Sequence, residues 1–361
     1  MPAVLRAALT PSAAPVDDEK DRARYAATLM EMWGVRAMRP RFLGCHPNSL
    51  GAEHLPALRA NPHVVSLKTD GVRQMLLLTT RADGAPVALM IDRALAMREV
   101  RVWGPVEYFE GSLFDGELVW RGDAVVSDGA SAPPMDYLVF DALCLRGKRR
   151  MHQRYSQRMQ AVHASLGGPA ALDEDLDAVA ARALAEDALI SVQRAPHALH
   201  LLPKPCAPAA RAREVWAARD ATPYRCDGLL FSRTDARVER GTSNAMLKWK
   251  PVWSVDLLTR RGEAGELSLH AVDPGTGGLA RVPGVVEPNE VLAALPDTGA
   301  IVEYHVLCGR GGAAAAPQAR LVPARVRGDK DAPNALRTVR STMELAAGGV
   351  GEAALLRAVG C

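Results

Sequence analysis

Seven lysines stand against 37 arginines in this chain of 361 residues. Where arginine supplies nearly every positive charge, a retained lysine marks a need for a compact ammonium, or for an amine that must lose its proton to attack. Four of the seven fall in three short strings: Lys68-Thr69-Asp70-Gly71-Val72-Arg73, Leu247-Lys248-Trp249-Lys250-Pro251 and Arg327-Gly328-Asp329-Lys330. Lys68 ends an apolar run just before a turn-forming Asp-Gly, which exposes an amine at a cleft edge. Arg73, two residues past the glycine, can hold a sugar or phosphate oxygen. Phe114-Asp115-Gly116-Glu117-Leu118-Val119 sets a carboxylate inside an apolar strand, where it needs a ligand or a cation; the abundant arginines are its simplest partners. Leu138-Val139-Phe140-Asp141-Ala142 places an aromatic beside an acid, and Asp227-Gly228-Leu229-Leu230-Phe231 repeats the acid-glycine-strand form. Lys248 and Lys250 point to one side of a strand, because side chains alternate.

These strings need strands to carry them, and the apolar pattern supplies them. Strands are expected at 64–67, 74–80, 87–91, 99–103, 114–120, 137–143, 228–232 and 246–249, with an Asp83-Gly84 turn. Helices are expected from the Asp17-Asp18 cap to about Trp33, over 51–59, 151–166 and 173–190, and in the tail over 334–359. Beyond Pro251, short runs at 255–259, 267–272, 300–307 and 319–326 are separated by Gly/Pro-rich turns. That texture suits a small barrel of the OB type.

Composition narrows the class. With 48% hydrophobic and 24% charged residues, the chain reads as globular rather than disordered. No uncharged apolar run approaches the ~18 residues of a transmembrane helix, and the Ala/Pro-rich start lacks the core of a secretory signal, so no membrane role is expected. Six cysteines without C-x-x-C spacing argue against a zinc ribbon and against a disulfide scaffold; reduced thiols in an intracellular compartment are expected. A net charge of +3 neither demands nor excludes nucleic acid. The basic run Arg146-Gly147-Lys148-Arg149-Arg150 with Arg154 reads equally as a solvated helix start or as a contact for an RNA backbone.

In this order the strings resemble the collinear motifs of the covalent nucleotidyltransferases, and among them the mRNA capping guanylyltransferases. The similarity runs from about Phe42 to Leu345. Leu247-Lys248-Trp249-Lys250-Pro251, the run from Arg327 to Asn334 with its Pro333-Asn334 ending, and Met90-Ile91-Asp92-Arg93 resemble capping enzymes more than polynucleotide ligases. The resemblance implies an α+β fold. A mixed or antiparallel-sheet nucleotidyltransferase domain, ATP-grasp-like, would span 42–253. A C-terminal OB-fold domain over 254–334 would close over a cleft, flanked by an extension at 1–41 and a helical segment at 335–361 packing back on the first domain.

It further implies that Lys68 attacks the α-phosphorus of GTP and passes GMP to the 5′-diphosphate end of RNA. Attack needs an unprotonated amine, which neighbouring cations favour; Lys248, Lys250 and Arg73 are the expected neighbours. Arg73 and Glu117 would hold the ribose, Phe140 would stack on guanine, and Lys204 would contact the base unless it is a surface lysine. Arg93 would join the GTP contacts. Asp227 would sit at a metal-bound α-phosphate, with Glu117 a second candidate ligand and Mg²⁺ or Mn²⁺ as the ion. Arg327 and Lys330, supported by Asp329, would grip the outer phosphates. Separate RNA triphosphatase and cap methyltransferase chains are expected partners. The expected location is the nucleus for a cellular protein, or a host nucleus or cytoplasmic replication site for a viral one. The competing readings are an ATP-dependent RNA or DNA ligase and a non-catalytic RNA-binding scaffold of the same fold.

Overall fold

The computed structural model describes residues 14–35, 42, 44–102, 104–121, 135–166, 199–262, 265–296, 299–308, 319–328 and 330–361. The expected helix over 173–190 and the residue Asp329 lie outside them. Three sheets organise the rest. The first runs in the order β1 (Ala14–Pro15), β6 (Met97–Val100), β5 (Pro86–Ile91), β4 (Val72–Thr80), β7 (Ser112–Trp120), β8 (Met135–Leu145) and β10 (Leu199–Pro203). β9 (Lys148–Arg149) also pairs with β8, and only β10 joins its neighbour in parallel.

The near-continuous apolar runs of β4, β5 and β7 follow from burial on both faces of this sheet. Leu76, Leu78, Met90 and Phe114 face a core shared with Met159, Val162 and Leu166 of α3 (Tyr155–Leu166). Their alternates Met75, Leu77, Leu89, Ile91 and Leu113 face a second core under α1 (Glu19–Met32), which contributes Tyr25, Leu29 and Met30. Asp18 caps α1 by accepting from the Asp21 amide at 2.8 Å, matching the cap expected from sequence.

The second sheet has the order β11 (Ala207–Pro208), β3 (His63–Thr69), β12 (Cys226–Arg233), β13 (Thr242–Trp249) and β2 (His46–Ser49). One face carries Val65, Leu67, Leu229, Phe231, Leu247 and Trp249 into a core with α2 (Leu55–Ala60), α4 (Ala212–Ala217) and α7 (Glu352–Val359). Trp249 is therefore core: its indole N–H donates to the Val350 carbonyl at 2.7 Å, and Trp216 meets it edge-on at 5.4 Å. β2, in a stretch the sequence reading left as loop, pairs in parallel with β13.

The third sheet follows the order β16 (Leu279–Arg281), β15 (Leu267–Val272), β14 (Trp253–Arg261), β18 (Ala300–Cys308), β19 (Ala319–Val326) and β17 (Val285–Val286). Val255, Leu257, Val302, Tyr304 and Leu321 form its core, with Leu292 of α5 (Glu290–Ala293) and Val339 of α6 (Leu336–Ala347). The expected barrel is not closed: among the described residues no pairing joins β16 to β17. These end strands are only three and two residues long, too short to sustain a closing ladder. The result is an α+β protein with mixed sheets.

Candidate active site

Period-two alternation places the lysines. With Val65 and Leu67 of β3 committed to the core, Lys68 turns to the opposite face of the second sheet. The register pairs Lys68 with Gly228 and Leu230 with Lys248, so Lys248 shares that face. Asp227 is held out of the ladder. The β12–β3 register shifts between Cys226 and Gly228, a bulge that gives Asp227 its own direction. Its carboxylate accepts from Lys68 Nζ at 2.6 Å through one oxygen and meets Lys250 Nζ at 2.6 Å through the other. Burial works against this carboxylate's charge, but the two ammonium groups outweigh it and hold its pKa below the usual carboxylate range. Lys248 is shifted the other way for a lysine: burial, then the charges of Lys68 and Lys250, push its pKa down.

The first sheet supplies the facing wall. Lys68, Thr69, Asp70, Arg73, Arg93, Glu117, Phe140, Lys204, Met246 and Lys248 line, with His46 and a few others, one cleft of about 300 Å³. Glu117 takes a short hydrogen bond from the Thr69 hydroxyl and lies 3.2 Å from Lys204 Nζ, which also donates to Thr69 at 3.0 Å. The partner of this strand carboxylate is thus a lysine rather than an arginine. Lys204 is buried, which corrects the surface alternative. Its ammonium stands 5.9 Å from the centre of the Phe140 ring.

Arg73 is more tied down than its motif suggests. Its Nε donates to Asp115 at 2.9 Å, a second nitrogen reaches the other carboxylate oxygen, and the third hydrogen-bonds the Cys45 carbonyl. The guanidinium also lies over Phe42 and Phe140, at 5.3 and 5.4 Å. Burial lowers the Arg73 pKa, but the charge and hydrogen bond of Asp115, with smaller contributions from Cys45 and Tyr137, together outweigh it, so the net shift is upward. Arg93 comes from the β5–β6 turn, where Asp92 accepts from the Ala94 and Ala96 amides at 2.8 Å. Burial and Arg73 lower its pKa. For His46, at the start of β2, burial and then the charges of Arg73, Arg93 and Lys248 push the pKa down.

Arg327 and Lys330 do not line this cleft. Both bind Asp256 of the third sheet, Arg327 at 2.9 Å and Lys330 by a short contact. The basic run at 146–150 is engaged locally as well: Arg146 stacks on Tyr108 at 4.3 Å, and Arg149 donates to the Glu31 carbonyl at the end of α1. Sequence reasoning missed Thr69, Asp115, Asp256 and His46 as partners. Asp115 was visible as an acid two residues before Glu117, and Asp256 as a lone acid in an apolar strand. Nothing local marked His46.

The family model described as mRNA capping enzyme, catalytic domain, matches residues 8–252. The chain is 28% identical over 222 residues to the mRNA-capping enzyme subunit alpha of Schizosaccharomyces pombe, covering 58% of this chain and 50% of that one. It is 33% identical over 118 residues to the mRNA-capping enzyme subunit alpha of Neurospora crassa, covering 30% and 29%. The matched segments thus span half or less of these curated relatives. A solved mycobacterial DNA ligase D complexed with ATP and MES is similar at a TM-score of 0.38 and 15% identity, covering 80% of this chain and 96% of that one.

Proposed function

This chain belongs to the mRNA capping enzyme family, through its catalytic domain, and from that premise we propose that it is an mRNA guanylyltransferase acting through a lysyl-GMP intermediate. The Lys68 amine gives up a proton and forms a nitrogen–phosphorus bond to the α-phosphorus of GTP, while the bond to the bridging oxygen breaks and pyrophosphate leaves. The terminal oxygen of a 5′-diphosphate RNA then takes the GMP, breaking the nitrogen–phosphorus bond and returning the amine. The observation that carries this reading is the joint hold of Lys68 and Lys250 on Asp227, at 2.6 Å each, with Lys68 and Lys248 both lining the cleft. An amine beside a cluster of further cations suits attack on a phosphate whose charge grows in the transition state.

The other wall supports the same reading. Lys204, Thr69 and Glu117 form a polar group beside Phe140, able to read the edge of a stacked purine. Arg73, braced by Asp115, faces the ribose from a fixed position. Residues 254–334 act as a second domain that closes over the cleft and brings Arg327 and Lys330 to the outer phosphates. Among the described residues no three His, Cys, Asp or Glu gather to hold a metal. Asp227 would be the carboxylate that holds an ion brought in with the substrate. Bound there, Mg²⁺ or Mn²⁺ would neutralise phosphate charge.

The test is incubation of the chain with α-labelled GTP and magnesium or manganese, with labelled ATP in parallel, followed by denaturation. Label retained from GTP alone, removed by added pyrophosphate and absent in Lys68→Ala, is the expected result. Label from ATP alone would move the protein to the ligases, and no adduct with either would leave a non-catalytic scaffold.

A further inference from the structure

The third sheet holds an ion cluster whose composition matches neither a surface salt bridge nor a core contact. Asp256 lies on β14, six residues beyond Lys250. One of its carboxylate oxygens takes Arg327 at 2.9 Å and the other takes Lys330, with Asn334 Nδ2 at 3.5 Å. Glu303, across the strand pair, lies 3.5 Å from Arg327 but is chiefly engaged by Arg325 at 2.7 Å and Ser254 at 2.8 Å. One carboxylate thus holds both cations at once, one on each of its oxygens.

The backbone around it is anchored independently. The Asp256 amide donates to Asn334 Oδ1 at 2.9 Å, and the Asn334 amide donates to the Asp256 carbonyl at 2.8 Å. Arg327 N–H donates to the Ile301 carbonyl at 2.7 Å. The segment from Arg327 to Asn334 would therefore stay on the sheet without the Asp256 charge. A carboxylate unnecessary for placing the segment, yet holding both of its cations, has the geometry of a competitor for whatever anion those cations bind.

We infer that Asp256 is an internal stand-in for the outer phosphates: it holds Arg327 and Lys330 until a polyphosphate tail displaces it, and recaptures them when pyrophosphate leaves. The inference rests on the guanylyltransferase reading for the identity of the anion. A single carboxylate is a weaker partner for two cations than a pyrophosphate group of several charges, so exchange is favourable when substrate is present and reversible once the bond to the α-phosphorus is cut. The device limits product retention, since each step of pyrophosphate departure is matched by a waiting carboxylate.

The experiment compares wild type with Asp256→Asn, which keeps the backbone hydrogen bonds and removes the charge. Inorganic pyrophosphate binding is followed by calorimetry in the presence of magnesium, and GMP binding serves as a control lacking the outer phosphates. Asp256→Asn should bind pyrophosphate about tenfold more tightly, ~1.4 kcal/mol, with GMP affinity unchanged. Adding Arg327→Ala should abolish that gain. Pyrophosphate affinity that is unchanged or weaker in Asp256→Asn would overturn the inference, because the carboxylate would then be orienting the cations rather than competing for them. Should the asparagine variant melt early, Asp256→Ser gives the same comparison. The covalent GMP assay is separate: a wild-type chain that forms no adduct defeats the proposed function, whereas the pyrophosphate comparison is read without any chemistry.

Discussion

At the residue scale, the cleft crowds several cations together. Lys248 shows the cost. Its folded pKa is lowered by burial and by Lys68 and Lys250, so between that value and the ordinary one the unfolded chain binds more protons. Stability contributed by this group therefore rises with pH across that window, and below it the charged lysine is a liability. Lys248→Met should raise the thermal midpoint at pH 7 while reducing lysyl-GMP formation by about 100-fold or more, the usual loss when one transition-state donor is removed. A melting curve and the labelled-adduct assay on one preparation check both halves; a lower midpoint would show that the ammonium is stabilising where it stands. Much of this site was legible, because lysines retained amid arginines flagged Lys68, Lys248 and Lys250. The partners were not. Asp227 sits 159 residues from Lys68 and Asp115 sits 42 from Arg73, and no local pattern pairs them.

At the element scale, the lysine-bearing face depends on how closely β12 approaches β13. A Cβ built on Gly228 would stand 2.0 Å from the Trp249 carbonyl oxygen, a backbone atom that cannot swing aside. Glycine is required there by the close approach rather than by its φ. Gly228→Ala should force the strands apart at the point where Asp227 meets Lys250, costing about 2–3 kcal/mol. The expected result is a lowered unfolding midpoint together with loss of the GMP adduct. A variant that melted as wild type would mean that the ladder yields without strain. The strands themselves were readable from alternation, and 267–272 and 319–326 match the observed strands at both ends. β2 was not, because a four-residue strand containing Pro47 forms only by pairing with β13.

At the scale of the whole molecule, four histidines spread over the second sheet, the third sheet and α3 titrate in the same direction. Burial, the leading cause in each case, lowers the pKa of His46, His63, His163 and His270 below the ordinary value. As pH falls through ~6.5, the unfolded chain takes up protons that the folded chain resists, so stability is lost on acidification. The unfolding midpoint should drop by several degrees between pH 7.5 and pH 5.5, and His63→Asn should make that slope shallower. An unchanged midpoint across this range would contradict the burial of these rings. The sheets that carry them are linked end to end: β14 follows directly on Lys250, and α7 returns to the core beneath β13.

Alternation, turn residues and the scarcity of lysine are local properties, so the sequence by itself determined the strands that carry the chemistry-bearing strings, those strings, and the face on which Lys248 and Lys250 lie. Tertiary structure decided what each charge meets. Strand register set Lys204 on Glu117 across 87 residues and Arg327 on Asp256 across 71. It also left the third sheet open where turn spacing suggested a closed barrel, since closure depends on ladder length at its two ends rather than on the pattern within any strand.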